Sequence, residues 1–145
     1  MSLFKPICRA AAPAEIPASA KIAYLALNLA LWDRLGLIKK ILTLFPDPAE
    51  TLRIPAGDWP MLGIEPEKAG ELASPGLITR AHKEFDRLAK KGYSLLTLGD
   101  VEYPSLLREI FDPPCVLYCA GKADVLGKPA VAGTFATDSS ILFGR

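Results

Sequence analysis

LAKKGYSLLTLGDVEYPSLLREIFDPPCVLYCAG, residues 88–121, is where the chain changes period. Lys90-Lys91-Gly92 is the signature of a helix end: bases in the last turn, then a glycine free to take the left-handed conformation. YSLLTL (93–98) follows as a short strand, and Gly99-Asp100 turns the chain. Tyr103-Pro104 starts a short helix carrying Leu106, Leu107 and Ile110, since proline at the first helical position loses no hydrogen bond. Asp112-Pro113-Pro114 turns the chain again into a second strand, CVLYCA (115–120). A helical turn over 121–127 and the start of a third strand, AVAG (130–133), are expected beyond it.

Upstream of this stretch the sequence reads as helices. Thirteen prolines in 145 residues confine long elements to the proline-free windows, because proline interrupts helix interiors and central strands. The first window opens at Ser19 as an expected N-cap. Ile22, Leu25, Ala26 and Leu29 lie on one side of the helix that follows, with Tyr24, Leu27 and Leu31 on the other. A helix apolar nearly all round belongs inside a bundle. A second helix presents Ile38, Ile41, Leu42 and Phe45 on one face and Lys39, Lys40 and Thr43 on the other, and stops at Pro46. Asp47-Pro48-Ala49-Glu50 begins a short third helix with an N-cap acid and proline behind it. Residues 54–63, with Pro55, Gly57, Pro60 and Gly63, read as loop. Glu65–Ala73 is expected as a short helix. Ser74-Pro75-Gly76 opens the best-marked helix, with Ile78, Ala81, Phe85, Leu88 and Ala89 as its core face.

Composition narrows the function. Half of the residues are apolar, and 17 bases stand against 16 acids. Such a chain buries a core and carries no net field that would by itself draw in nucleic acid. The apolar run 22–32 is too short to span a bilayer, and Pro13, Glu15 and Pro17 break the leader where a secretory signal needs an apolar stretch. Three cysteines without CxxC spacing and one histidine give neither a disulfide framework nor a zinc site. A cytoplasmic protein with no metal, cofactor or membrane partner is the expectation.

The words LLTLGD, YP, LLREI, DPP and VLY, in that order within 30 residues, resemble the DNA-processing protein A family (DprA, also called Smf). IAYLALNLAL (22–31) and FPDPAETL (45–52) are similar to segments of that family's N-terminal helical domain. The resemblance implies an α+β or α/β chain: a small all-helical domain like a sterile alpha motif (SAM), followed by a Rossmann-like segment. On that basis residues 1–18 are a flexible leader, 19–90 the helical domain, and 91–145 an incomplete Rossmann-like segment, truncated relative to the family. It also implies a non-enzymatic protein of DNA-mediated transformation (competence) and recombination. Such a protein binds single-stranded DNA, loads a RecA-type recombinase and forms homodimers.

The sequence departs from the family pattern at three points. Only Gly36 stands where family members carry a glycine hairpin able to approach a phosphate, and Asp33 beside it repels one. Gly133-Thr134 stands where the family has a Gly-hydroxyl-Arg anion turn, but Phe135 takes the arginine's place. The Rossmann-like segment is short, because each strand–helix–strand unit of such a sheet needs about 30 residues.

The candidate DNA-binding residues are Arg34, Lys39 and Lys40 around the first helical turn, Lys90 and Lys91 at the end of the long helix, and Gly133 and Thr134. Each has a bland reading as a solvated helix face or loop, and for the cations that reading is favoured. The wider set on the long helix, Arg80, Lys83, Arg87, Lys90 and Lys91 against Glu84 and Asp86, reads the same way. His82 is expected to be a partly buried structural residue. Trp32 and Trp59 are read as core or loop packing before base stacking. Tyr103-Pro104 with Asp100 and Arg108 reads as turn chemistry. The expectation is a protein that binds DNA weakly or not at all by itself. The rival is a protein-interaction module without DNA binding, and an enzyme is disfavoured because no nucleophile has a partner base.

Overall fold

The computed structural model describes residues 16–129. Its elements are α1 (Ala18–Leu31), α2 (Leu35–Leu44), α3 (Pro48–Thr51), a 3-10 turn (Trp59–Leu62), α4 (Pro66–Leu72), α5 (Pro75–Lys90), β1 (Tyr93–Thr97), α6 (Ser105–Arg108), β2 (Val116–Ala120) and a second 3-10 turn (Ala123–Gly127). This is the mixed helix-and-sheet class expected.

α1 is the central element. Eight of its residues are buried, from Ile22 through Leu27 and then Ala30 and Leu31. It packs against α2, α3, α4, α5 and both strands. Ala23, Ala26 and Ala30 leave room for neighbouring backbones to come close, while Leu25, Leu27 and Leu31 fill the core at 0% exposure. The helix starts one residue before the expected N-cap Ser19. Pro17 holds an extended conformation, and its carbonyl accepts from the amides of Ala20 and Lys21. That arrangement makes the first regular helical bond from Lys21 and also satisfies the otherwise orphan amide of Ala20, without a side-chain cap.

The other helices follow their punctuation. The Asp47 carboxylate accepts from the Ala49 amide at 2.8 Å, with Pro48 opening α3. Gly92, just after the C-cap Lys91, has φ 73°, the left-handed turn predicted there. The core stripe of α5 is rotated from the expected one. Leu77, Ala81 and Leu88 are buried and Phe85 partly so, whereas Ile78 is 37% exposed and Ala89 is exposed. Spacing 77-81-85-88 keeps one continuous line against α1, and Ile78 falls a residue off it. His82 is exposed on this helix, not partly buried.

The 54–63 segment is more ordered than a loop. Trp59 sits at 0% exposure in the 3-10 turn and joins the main core, though its indole N–H finds no acceptor among the described residues. Trp32, in contrast, is 69% exposed.

β1 and β2 pair antiparallel, with Leu95 opposite Tyr118 and Thr97 opposite Val116. A doubly wound segment would instead bring successive strands together in parallel through a helical crossover. The only α-helix between these strands is α6, with four residues, and a single turn cannot make such a crossover. The pair packs on the helices, so that Leu95, Cys115 and Val116 belong to the same hydrophobic cluster as α1. The third strand expected at 130–133, the leader 1–15, and Gly133 and Thr134 lie outside the described residues. Among the described residues, no helix is long and apolar enough to cross a membrane.

Candidate functional site

The segment between β1 and β2 is held by a polar lock. Asp100 is 7% exposed. Its Oδ2 accepts from the Thr97 backbone amide at 2.7 Å and from the Thr97 hydroxyl at 2.8 Å. Lys21, reaching from α1, places Nζ 3.7 Å from Asp100 Oδ1 and donates to the Leu95 carbonyl at 3.3 Å. Arg108 donates to the Asp100 carbonyl at 2.8 Å, and its guanidinium lies 5.5 Å from the centre of the Tyr103 ring. Tyr103, 2% exposed, donates its hydroxyl to the Pro114 carbonyl at 2.7 Å. Buried polar groups need such partners, because an unmet one costs about 1–3 kcal/mol. Asp100, Tyr103 and Arg108 are therefore turn chemistry, as the sequence suggested.

Burial pushes the Tyr103 phenol up to about 12, with the neighbouring Cys115 thiol adding to the effect and Arg108 opposing it. Burial likewise pushes the Cys115 thiol up to about 12. Cys115 lies 1% exposed against α1, its Sγ 3.6 Å from the Tyr24 carbonyl and 3.8 Å from Asn28 Oδ1. A thiol kept neutral in this way is a poor nucleophile. No group of three or more His, Cys, Asp or Glu side chains could hold a metal ion among the described residues.

The sequence-predicted cations meet different fates. Arg34 donates to Glu65 Oε1 at 2.7 Å and lies 3.9 Å from Asp33. Lys68 bridges back to Asp33 at 3.5 Å and to the Ala30 carbonyl at 3.1 Å. The one glycine of this turn, Gly36, faces the Asp112 carboxylate, and a Cβ there would collide with Oδ1. An internal carboxylate thus stands near the start of α2, where a phosphate-binding hairpin would need open amides. Lys40, Lys90 and Lys91 are exposed, without an ion pair among the described residues. Lys39 and Lys40 sit on α2, whereas Lys90 and Lys91 sit at the end of α5.

On α5 the wider basic set is largely matched. Arg80 pairs with Glu71 at 3.0 Å and Arg87 with Glu84 at 2.7 Å. Arg80, Glu84 and Arg87 border a groove of about 270 Å³ with Lys83 and Leu29.

Lys39 is the predicted residue with the most developed surroundings. It donates to the Ile110 carbonyl at 3.0 Å. With Tyr24, Thr43, Leu98, Arg108 and Pro113 it lines an open cleft of about 260 Å³ between the helices and the β1–β2 connection. Sequence reasoning did not bring Tyr24 to this cleft. The available signal was a phenol on the apolar stretch of α1, since a buried tyrosine hydroxyl seeks a polar outlet.

Residues 94–137 match the family model described as DNA recombination-mediator protein A. The match begins within β1 and takes in every residue of the polar lock except Lys21, which reaches it from α1. No curated protein and no solved structure matches the chain.

Proposed function

We propose, from the premise that residues 94–137 belong to the DNA recombination-mediator protein A (DprA) family, that this protein binds single-stranded DNA weakly and without reading sequence. In this reading it delivers the strand to a RecA-type recombinase in the cytoplasm, and no covalent chemistry is involved. The match supports a role in DNA processing and recombination at the level of the family. Strand binding and recombinase loading are the finer steps proposed here, with homodimerisation as in the family.

The observation that carries the reading is the coincidence of the matched segment with the lock of Thr97, Asp100, Tyr103 and Arg108. The low affinity follows from the charges. Arg34, Arg80 and Arg87 are held by carboxylates, and the candidate lysines without an ion pair among the described residues lie on separate elements, Lys39 and Lys40 on α2 and Lys90 and Lys91 at the end of α5. A handful of phosphate contacts gives modest, salt-sensitive binding. The absence of covalent chemistry is supported by the burial of Cys115 and by the engagement of Asp100 in the turn.

Fluorescence anisotropy with a labelled dT oligomer at low salt tests the reading. Binding that weakens steeply as salt rises is expected, and sub-micromolar affinity at physiological salt would contradict it. Stimulation of RecA filament assembly on the same oligomer tests delivery.

A second reading, a protein-binding module, is favoured by one observation. Val101, Leu106, Ile110 and Phe111, all around α6, are 69%, 79%, 44% and 87% exposed. Apolar side chains gathered in this way mark interaction surfaces. A partner held there would survive salt that releases a nucleic acid.

A further inference from the structure

We propose that the cleft between α1, α2 and the β1–β2 connection is a phosphate-binding site, with Lys39, Arg108 and the Tyr24 hydroxyl as its donors. It stands apart from the strand-binding proposal, because a phosphate group can be recognised whether or not it belongs to a nucleic acid.

The two cations are positioned and still available. Each is tied by one hydrogen bond to a backbone carbonyl, Lys39 to Ile110 and Arg108 to Asp100. Neither has a carboxylate partner among the described residues. An ammonium with three donors and a guanidinium with five keep most of their capacity after one bond each. Their heads are pre-placed, so a ligand does not have to order two long side chains.

The cleft wall carries no carboxylate. In the grooves beside Arg34 and Arg87 an acid, Glu65 or Glu84, lies in the wall itself. The nearest acids that act on Tyr24 are Asp100 and Asp47. Both are turned to internal donors, Asp100 to Thr97 and Asp47 to the Ala49 amide.

Tyr24 completes the set. Its hydroxyl makes no hydrogen bond among the described residues, although the residue is only 7% exposed. Gly99 keeps the space beside it open, since a Cβ at that position would lie 2.8 Å from the Tyr24 oxygen. Burial raises the phenol above its ordinary range, which keeps it protonated as a donor. Thr43 has its hydroxyl donated to the Lys39 carbonyl at 2.8 Å and serves as wall. A volume of about 260 Å³ falls below the usual range of drug-sized pockets. It suits a phosphate group, with any attached moiety left outside.

The test is a titration of the intact chain with inorganic phosphate at constant ionic strength, followed by amide chemical shifts and by calorimetry. Saturable shifts at Leu42, Thr43 and Leu98 are expected. Lys39→Gln should weaken binding roughly tenfold, as for loss of a charge-assisted hydrogen bond, and Tyr24→Phe by several-fold. Lys83→Gln, on another face, should leave it unchanged. Arg108→Gln also breaks a bond of the polar lock, so the Lys39 and Tyr24 variants carry the test. Shifts that do not saturate, or that chloride reproduces, would overturn the proposal, as would equal losses in the Lys39 and Lys83 variants. Two further arms separate the sources. Displacement of a labelled dT oligomer by phosphate identifies a backbone phosphodiester as occupant. Phosphate binding without displacement identifies a free phosphate or phosphomonoester.

Discussion

The carboxylate of Asp100 accepts both the backbone amide and the hydroxyl of Thr97, three residues earlier, with Lys21 of α1 on its other oxygen. One buried charge thereby closes the turn after β1 and ties it to the central helix. Asp100→Ala should cost about 3–5 kcal/mol, because it strands the Lys21 ammonium and two donors. Asp100→Asn should cost less, since the side-chain oxygen can still accept from Thr97. Urea unfolding followed by circular dichroism measures both, and equal losses would mean that the charge contributes nothing.

Tyr103 and Cys115 make stability fall on the alkaline side. Their folded values of about 12 lie above the ordinary 10.0 and 9.0, so the fold holds protons that the unfolded chain releases. Stability from this source is full below about pH 9 and declines as pH rises toward about 12. Tyr103→Phe should flatten part of the decline while lowering stability at neutral pH by about 1–2 kcal/mol for the lost bond to Pro114. Denaturant midpoints measured across the alkaline range give both effects.

Cys115 should resist alkylation in the native protein near pH 8 and react only on unfolding. Cys119 is half-buried, with its thiol raised less far by burial, and should react first of the two. Peptide mapping after timed iodoacetamide treatment distinguishes them, and equal labelling would mean that Cys115 opens freely.

Gly99 and Tyr24 should behave as a coupled pair. Gly99→Ala places a methyl against the Tyr24 hydroxyl and Ile16 and should cost about 1–3 kcal/mol, as overpacking does. Tyr24→Phe removes one of the two obstructing atoms, so the double variant should lose less than the sum of the singles. Strict additivity would place the strain elsewhere.

Leu25 is buried at 0% in the middle of α1. Leu25→Ala should cost about 2–5 kcal/mol by opening a cavity in the core around α1. Thermal melts would show it, and a loss under 1 kcal/mol would mean that the core closes around the gap.

The helices were legible because proline and glycine punctuate them. Asp47-Pro48, Ser74-Pro75 and Lys91-Gly92 mark ends by local chemistry, and the structure places ends within a residue or two of them. The burial of Trp59 was not legible, because a proline- and glycine-rich stretch gives no period, and only contact with the distant α1 core settles its place. Nor does alternation in YSLLT and VLYCA say whether the strands run parallel or antiparallel. The long-range pairings were equally hidden. Arg34 with Glu65, Lys39 with the Ile110 carbonyl, and Lys68 with the Ala30 carbonyl join residues from separate elements. A linear reading identified Lys39 and Arg108 but had no means of bringing them to one cleft.

The Tyr103–Pro114 bond also bears on how variation in this segment should be interpreted. It belongs to a brace that keeps the hairpin seated, so substitutions there would lower cellular abundance before they altered any contact with a partner. A deep mutational scan scored only by recombination phenotype would merge the two causes. Scored beside protein level, the tyrosine should sort with the scaffold and Lys39 with the ligand.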